Sequence, residues 1–157
     1  MKPPRTLLSL AALIVALGVT VPAAPAAGGY GPRQYYDTTW TYSPSYGYYY
    51  VHYYYLPVVT YTTYEYHYCI YYPSQPSYVY YYNPTAQVYW GRYELGSKGD
   101  NRYSLLAEKD RKKDLKDIPD KAFPKAGKMP TIPGAKDDVA IEPPPENVPK
   151  DKEKPAK

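Results

Sequence analysis

The sequence predicts a small all-β protein: an antiparallel meander of three to four tyrosine-rich strands, then a short helical turn and a disordered tail. Of the 24 tyrosines, 23 lie between Tyr30 and Tyr93, and tyrosine favours the pleated, half-buried surface of a sheet. Clusters of Pro, Gly, Ser and Asn separate the aromatic runs and are typical of turns. Charge is concentrated beyond residue 93, where residues 94–157 hold 15 Lys and Arg and 13 Asp and Glu.

Residues 1–26 are predicted to be a secretory signal peptide. Lys2 and Arg5 precede an apolar run from Leu7 to Val21, and Ala24-Pro25-Ala26 has the small-residue form of a cleavage site. A membrane-spanning helix needs about 20 apolar residues, whereas this run has 15. We therefore expect an exported protein of the periplasm, cell surface or medium, with no transmembrane span after signal removal.

The charge that remains after signal removal argues against a nucleic-acid partner. Lys plus Arg falls from 19 to 17 against 15 acidic residues, so the mature net charge is about +2 and mixed in sign. The aromatic region also lacks the interleaved cations that single-stranded nucleic acid requires.

Residues 27–57 are predicted to be a Gly-, Pro- and Tyr-rich lead that is partly disordered, with Tyr46–Tyr55 as a candidate strand inside it. Residues 58–123 are predicted to be the meander domain. Its candidate strands are Val58–Tyr72, Ser77–Asn83, Gln87–Tyr93 and Arg102–Leu106.

The turn after Asn83 determines which rings share a face of the sheet. Pro84 excludes a tight two-residue hairpin, because that turn needs a positive φ. A three- or four-residue loop remains, which pairs Tyr80 with either Trp90 or Tyr89. Since a slip of one residue exchanges the two faces, the sequence leaves open which rings point inward.

The residues after the last candidate strand are charged. Residues 107–115 are compatible with a short helix, and a further turn is expected to dock Phe123, the only Phe. Residues 124–157, rich in Pro, Lys and Glu, are predicted to be a disordered tail. Its proline runs suggest packing on the protein's own aromatic sheet or on a neighbouring copy.

One constellation resembles a metal site. Glu65, His67 and Cys69 alternate, so they share one face of a strand, and His52 adds a second imidazole. Same-face neighbours on a strand lie ~7 Å apart, which is wide for ligands of one ion. We therefore expect no metal and no cofactor.

Other catalytic signatures are missing from the sequence. It holds no paired carboxylates, no Gly-rich phosphate loop and no G-x-S-x-G elbow. Cys69 is the only cysteine, so an intramolecular disulfide is excluded and burial is the expected state. We expect a protein that is not an enzyme.

Three functions are compatible with these observations. The leading hypothesis is a non-catalytic structural or interaction protein of the cell envelope. The alternative is an aromatic binding surface for a glycan or a Pro-rich peptide, with Tyr80, Tyr82 and Trp90 as the candidate residues. A secreted metal-dependent enzyme at Glu65, His67 and Cys69 is the third.

A series of short motifs also resembles a known family. The motifs are YCIYYP at 68–73, YYYNP at 80–84, VYWGRY at 88–93 and YSLLAEKDR at 103–111. Over residues 66–134 the chain resembles a family of small exported tyrosine-rich proteins of planctomycete bacteria. The resemblance implies an exported bacterial protein and assigns no activity or site residue.

Overall fold

The computed structural model describes residues 31–149, so the predicted signal peptide and the last eight residues of the predicted tail lie outside the described residues. Seven strands form one sheet, in which every pair is antiparallel. The strands are β1 (Gln34–Tyr36), β2 (Thr41–Ser43), β3 (Tyr48–Tyr55), β4 (Glu65–Tyr71), β5 (Tyr78–Asn83), β6 (Val88–Glu94) and β7 (Tyr103–Leu105).

The sheet order is β1-β3-β4-β5-β6-β7, and β2 pairs beside β1 along the same edge of β3. Strands β3 to β7 are therefore a meander, as expected for short strands separated by turns. The all-β antiparallel class is confirmed, but seven strands replace the predicted three to four. After β7 come three single turns of 3₁₀ helix, Glu108–Asp110, Leu115–Asp117 and Asp120–Ala122, in place of a helix over 107–115.

The N-terminal lead belongs to the sheet, which corrects the predicted domain start at residue 58. Strands β1, β2 and β3 all lie in residues 27–57, and β3 pairs with β4 over seven residues. The candidate strand over 58–72 is shorter than predicted, because residues 58–64 form an exposed loop that begins with a turn at Val58. Tyrosines in the lead pair with residues of neighbouring strands, and these cross-strand pairs stabilise the sheet. The strands are hard to predict because few turn residues mark their ends.

A β-bulge sets the register of the β5–β6 hairpin. Asn83 pairs with Val88 across the four-residue loop 84–87, and the Asn83 side chain accepts hydrogen bonds from the backbone N–H groups of Thr85 and Ala86. The register then shifts between Tyr81 and Tyr82, so Tyr80 lies opposite Arg92. Both pairings expected for Tyr80 are wrong for two reasons. The four-residue loop spans 84–87, which alone would place Tyr80 opposite Gly91, and the bulge then adds one residue to β6 and moves the partner to Arg92.

The two faces of the sheet are covered by different parts of the chain. One face, which we call the covered face, carries Val51, Tyr53, Cys69 and Tyr81 and packs against residues of the segment 128–149. The opposite face carries Ile70, Tyr80 and Tyr89, which pack against the segment 106–123, including Phe123. Cys69 is completely buried, as expected.

The prediction of disorder from residue 124 is wrong for residues 124–149. Gly127 forms two backbone hydrogen bonds with Tyr103, and Ile132 and Ile141 are 1% and 2% exposed. The few apolar residues of this segment bury their side chains on the tyrosine sheet, although they cannot form a core by themselves. Over residues 31–149, no helix has the length and apolar character needed to cross a membrane.

Candidate functional site

The face that packs on 106–123 is only partly covered. The segment lies over β5 and β6 and over Ile70, whereas the side chains of β3 and of the first half of β4 on this face remain partly or largely exposed. We call this uncovered area the open tyrosine face. Its members are Tyr35, Tyr46, Tyr48, Tyr50, His52, Tyr54, Tyr66 and Tyr68, all partly or largely exposed.

The pairing of β3 with β4 fixes the positions of the rings on the open tyrosine face. His52 lies opposite Tyr68, and Tyr54 lies opposite Tyr66. The ring centroids of His52 and Tyr68 are 4.9 Å apart, and those of Tyr50 and Tyr68 are 5.5 Å apart in an edge-to-face arrangement. Aromatic pairs in this geometry stabilise a sheet beyond the area they bury, so the rings form an ordered surface.

Asp37 holds the imidazole within this surface. One of its carboxylate oxygens, Oδ2, lies 2.6 Å from His52 Nδ1 and accepts a 2.9 Å hydrogen bond from the His52 backbone N–H. The imidazole ring also stacks on Tyr54 at 5.4 Å. The residues of β3 that lie opposite Glu65, His67 and Cys69 are Tyr55, Tyr53 and Val51. His52 alternates with them, so it lies on the other face of the sheet and does not join the three predicted metal ligands.

The open tyrosine face continues into a groove of about 580 Å³ beside the segment 106–123. Tyrosines form its walls, Ile70 and Leu115 add apolar surface, and charged residues occupy one rim. The lining residues are Tyr46, Tyr48, Tyr68, Ile70, Tyr72, Gln75, Tyr82, Tyr89, Lys113, Asp114, Leu115 and Lys116.

Burial favours the neutral form of several groove hydroxyls. Burial raises the pKa of Tyr68 to about 12, with a further contribution from its hydrogen bond with Tyr66. Burial likewise raises the pKa of Tyr48 and Tyr82. A protonated phenol is a hydrogen-bond donor as well as an acceptor, so the groove combines aromatic surface with donors for a ligand's oxygens.

The three predicted binding residues do not lie on one surface. Tyr82 lines the groove. Tyr80 is buried beneath it, with its ring against Tyr72 and Phe123. The bulge places Trp90 on the covered face, 5.5 Å from the ring of His67.

Sequence reasoning missed most of the groove, although a signal was present. Side chains alternate between the two faces of a strand, and the apolar Val51 of β3 and Cys69 of β4 mark the buried face. The side chains at alternate positions, one residue before or after them, therefore point to the more exposed face. This rule identifies Tyr48, Tyr50 and Tyr68 as surface rings. Lys113 and Lys116 reach the groove because residues 106–123 pack back onto the sheet. No repeating pattern in this segment predicts that packing.

Glu65, His67 and Cys69 share one face of β4, as predicted. The Tyr55 hydroxyl lies 3.3 Å from Glu65 Oε2 and 3.4 Å from His67 Nε2. Burial and the nearby positive charge of Arg111 lower the pKa of His67 to about 4, and the same positive charge opposes a bound cation. Among residues 31–149, no group of three or more His, Cys, Asp or Glu has the geometry to hold a metal ion.

Burial raises the pKa of the Cys69 thiol well above its ordinary value. The thiol is therefore protonated at neutral pH, in a position that is fully enclosed. Since the thiolate is the nucleophilic form, this arrangement supplies an unreactive core residue.

Comparisons with known proteins identify no relative: no protein-family model matches the chain, and no curated protein or solved structure is significantly similar to it.

Proposed function

We propose that this chain is a non-catalytic, exported interaction protein of the bacterial cell envelope, and that the open tyrosine face is its contact surface. One observation carries the proposal: a contiguous row of ordered, partly exposed rings leads into an aromatic groove. Monomeric proteins seldom expose apolar patches of this kind unless they bind something there. Export and the envelope location rest on the sequence of residues 1–26.

The two buried titratable groups of the covered face favour binding over catalysis. The thiol of Cys69 and the imidazole of His67 are both buried in their neutral forms. Catalytic groups need a pKa near the working pH and access to substrate. The hydroxyls of Tyr48, Tyr68 and Tyr82, whose pKa values are raised, instead suit stable hydrogen bonding.

The shape of the surface favours an extended ligand. The rings of the open tyrosine face run along β3 and β4, and the groove extends this row beyond β4 to Tyr82. A glycan chain or an extended peptide can contact successive rings in such a row. The rings present flat apolar surface, and the hydroxyls bind the ligand's polar atoms.

Co-sedimentation with isolated bacterial envelopes tests the proposal. Replacing Tyr46 and Tyr66 by Thr removes two rings that are 72% and 38% exposed. Thr keeps a high strand propensity at Tyr66 in β4, and Tyr46 lies in the turn between β2 and β3. We expect the apparent affinity to fall by about fivefold or more, the loss typical of removing an interface residue that contributes over 1 kcal/mol. Tyr61→Thr is the matched control, because Tyr61 is 51% exposed in the loop 58–64.

Two results would contradict the proposal. One is full-length protein that does not sediment with envelopes at any salt concentration. The other is an equal loss of binding in the Tyr61 control, which would show that exposed tyrosine anywhere on the protein causes the association.

A further inference from the structure

The covered face already binds a proline-rich segment of the same chain. Residues 140–149 have no helix or strand beyond a single bridge at Ala140, and Pro144 is buried. The Gln34 side chain donates to the Ala140 carbonyl at 3.0 Å, and its Oε1 accepts from the Glu142 N–H at 3.1 Å. The Tyr36 hydroxyl donates to the Glu142 carbonyl at 2.6 Å.

Two of these three contacts are accepted by backbone carbonyl oxygens, which are the hydrogen-bonding groups that a proline-rich segment offers. Proline has no N–H, so a proline-rich segment interacts through its carbonyl oxygens and its ring surfaces. Tyrosine supplies an apolar ring and a hydroxyl donor in one side chain. Aromatic grooves are a recurrent receptor for such segments, whose extended conformation is largely preformed.

Carboxylates at each side of the prolines complete the recognition on the covered face. Arg102 Nη1 donates to Glu146 Oε1 at 2.7 Å, and the Tyr93 hydroxyl lies 3.5 Å from the same oxygen. Before the segment, Arg33 pairs with Asp137 through two hydrogen bonds, three residues ahead of Ala140. A tyrosine sheet face with cations at its margin therefore holds a proline-rich segment that carries acidic residues.

The groove beside the open tyrosine face has the same components. Tyrosine rings and hydroxyls form its walls, Gln75 corresponds in chemistry to Gln34, and Lys113 and Lys116 stand at the rim on either side of Asp114. The rim therefore has a net positive charge and complements carboxylates.

We propose that this groove binds, from another molecule, a proline-rich peptide segment flanked by carboxylates. The inference rests on the proposed function and names its ligand class. Tyrosine rings contact the prolines, the hydroxyls and the Gln75 amide bind backbone carbonyls, and Lys113 and Lys116 pair with the acidic residues. An uncharged glycan offers no carboxylate to Lys113 and Lys116, so the lysine rim favours the acidic peptide over such a glycan.

The full-length protein and the synthetic peptide AIEPPPENVP, the sequence of residues 140–149, provide the test. The side-chain amides of Gln75 and Gln34 are matched NMR reporters. Gln75 lines the groove, and Gln34 binds the protein's own segment at Ala140 on the covered face. We expect the Gln75 amide to shift in a saturable manner and the Gln34 amide to stay unchanged.

Variants that remove one charge test whether the lysines pair with the acidic residues of the peptide. Lys113→Gln and Lys116→Gln should each weaken peptide binding about two- to fivefold, as expected for one exposed ion pair. Lys98→Gln, in the exposed loop after Gly96, should leave it unchanged. A peptide with both glutamates replaced by glutamine should bind more weakly to the parent protein, and its binding should depend less on salt.

The outcomes separate this inference from the proposed function. If soluble peptidoglycan fragments shift the Gln75 amide and the peptide does not, the inference is overturned and the proposed function stands. A shift of Gln34 alone also overturns the inference, because the peptide then replaces the protein's own segment on the covered face. If neither probe moves any resonance of the open tyrosine face and envelopes do not bind, both proposals fall.

Discussion

At the scale of single residues, the burial of His67 on the covered face links the stability of the protein to pH. His67 is 1% exposed, and its ring lies against Trp90 and Tyr55 at 5.5 and 5.4 Å. Its Nδ1 has no hydrogen-bond partner among the residues that the structure describes. Protonation would place a positive charge in this enclosed position beside Arg111, so the neutral imidazole is strongly favoured.

His67 therefore makes stability depend on pH. The pKa of His67 is about 4 in the folded protein against an ordinary value of 6.5 for histidine, so between these pH values the unfolded chain binds more protons. This contribution is complete above pH 6.5 and is lost as pH falls toward 4, by about 3 kcal/mol in all. His67→Phe, which keeps a ring in place, should remove this part of the pH dependence in urea-unfolding measurements.

The histidine ring can also be followed directly. The NMR titration of the His67 ring protons should have its midpoint near pH 4. A midpoint near 6.5, together with an unchanged pH profile of stability in His67→Phe, would contradict the role assigned to burial.

At the scale of strands, the sequence predicts position better than orientation. The predicted strands 77–83, 87–93 and 102–106 differ from β5, β6 and β7 by at most one residue at each end, because turn residues and Tyr-rich alternation mark them clearly. Which rings share a face depends on the bulge between Tyr81 and Tyr82. A bulge is determined by the local fit between strands, so the sequence does not show that Trp90 lies on the covered face, away from Tyr82.

The bulged strand has one position where no side chain fits. A Cβ at Gly91 would lie 2.5 Å from the Ser104 carbonyl oxygen and 2.6 Å from the Tyr103 hydroxyl. Since the first of these is backbone of the paired strand β7, it moves only if the β6–β7 pairing moves. The glycine is therefore required by the close approach of the two strands.

Gly91→Ala should accordingly destabilise the protein by about 1–3 kcal/mol or more, the usual cost of overpacking. Urea unfolding measures the loss, and amide exchange should localise it to β6 and β7. Gly96→Ala is a useful contrast, because a Cβ there meets no atom within 4 Å and only its φ of 72° is unfavourable. Equal effects of the two substitutions, with no loss of protection in β7, would contradict the steric account.

At the scale of the whole molecule, segments of low hydrophobicity cover one face of the sheet and part of the other. Composition predicts disorder for residues 124–157 because charged and proline residues bury little surface. That reasoning considers the segment alone, whereas the tyrosine sheet offers apolar rings and hydroxyl donors together. Ile132 and Ile141 enter the core of the covered face, and polar contacts at Gln34 and Arg102 hold the chain between and beyond them.

The contribution of this segment is measurable by truncation. A chain that ends at Phe123 loses the buried side chains of Ile132 and Ile141, each contributing about 1.5–3 kcal/mol, and uncovers Trp40, Tyr53 and Tyr81. Because a domain of this size has a total stability of about 5–15 kcal/mol, we expect marginal folding. Hydrogen exchange of the β3, β4 and β5 amides should accelerate strongly.

A chain that ends at Pro149 is the matched control, since it keeps every contact described for the segment. Its exchange protection should equal that of the full-length protein. Equal protection of the sheet in the chain that ends at Phe123 would mean that the segment adds no stability to the sheet. In that event the covered face would be a second exposed tyrosine surface. The opposite result leaves the open tyrosine face as the one large aromatic area of residues 31–149 that is available to a partner.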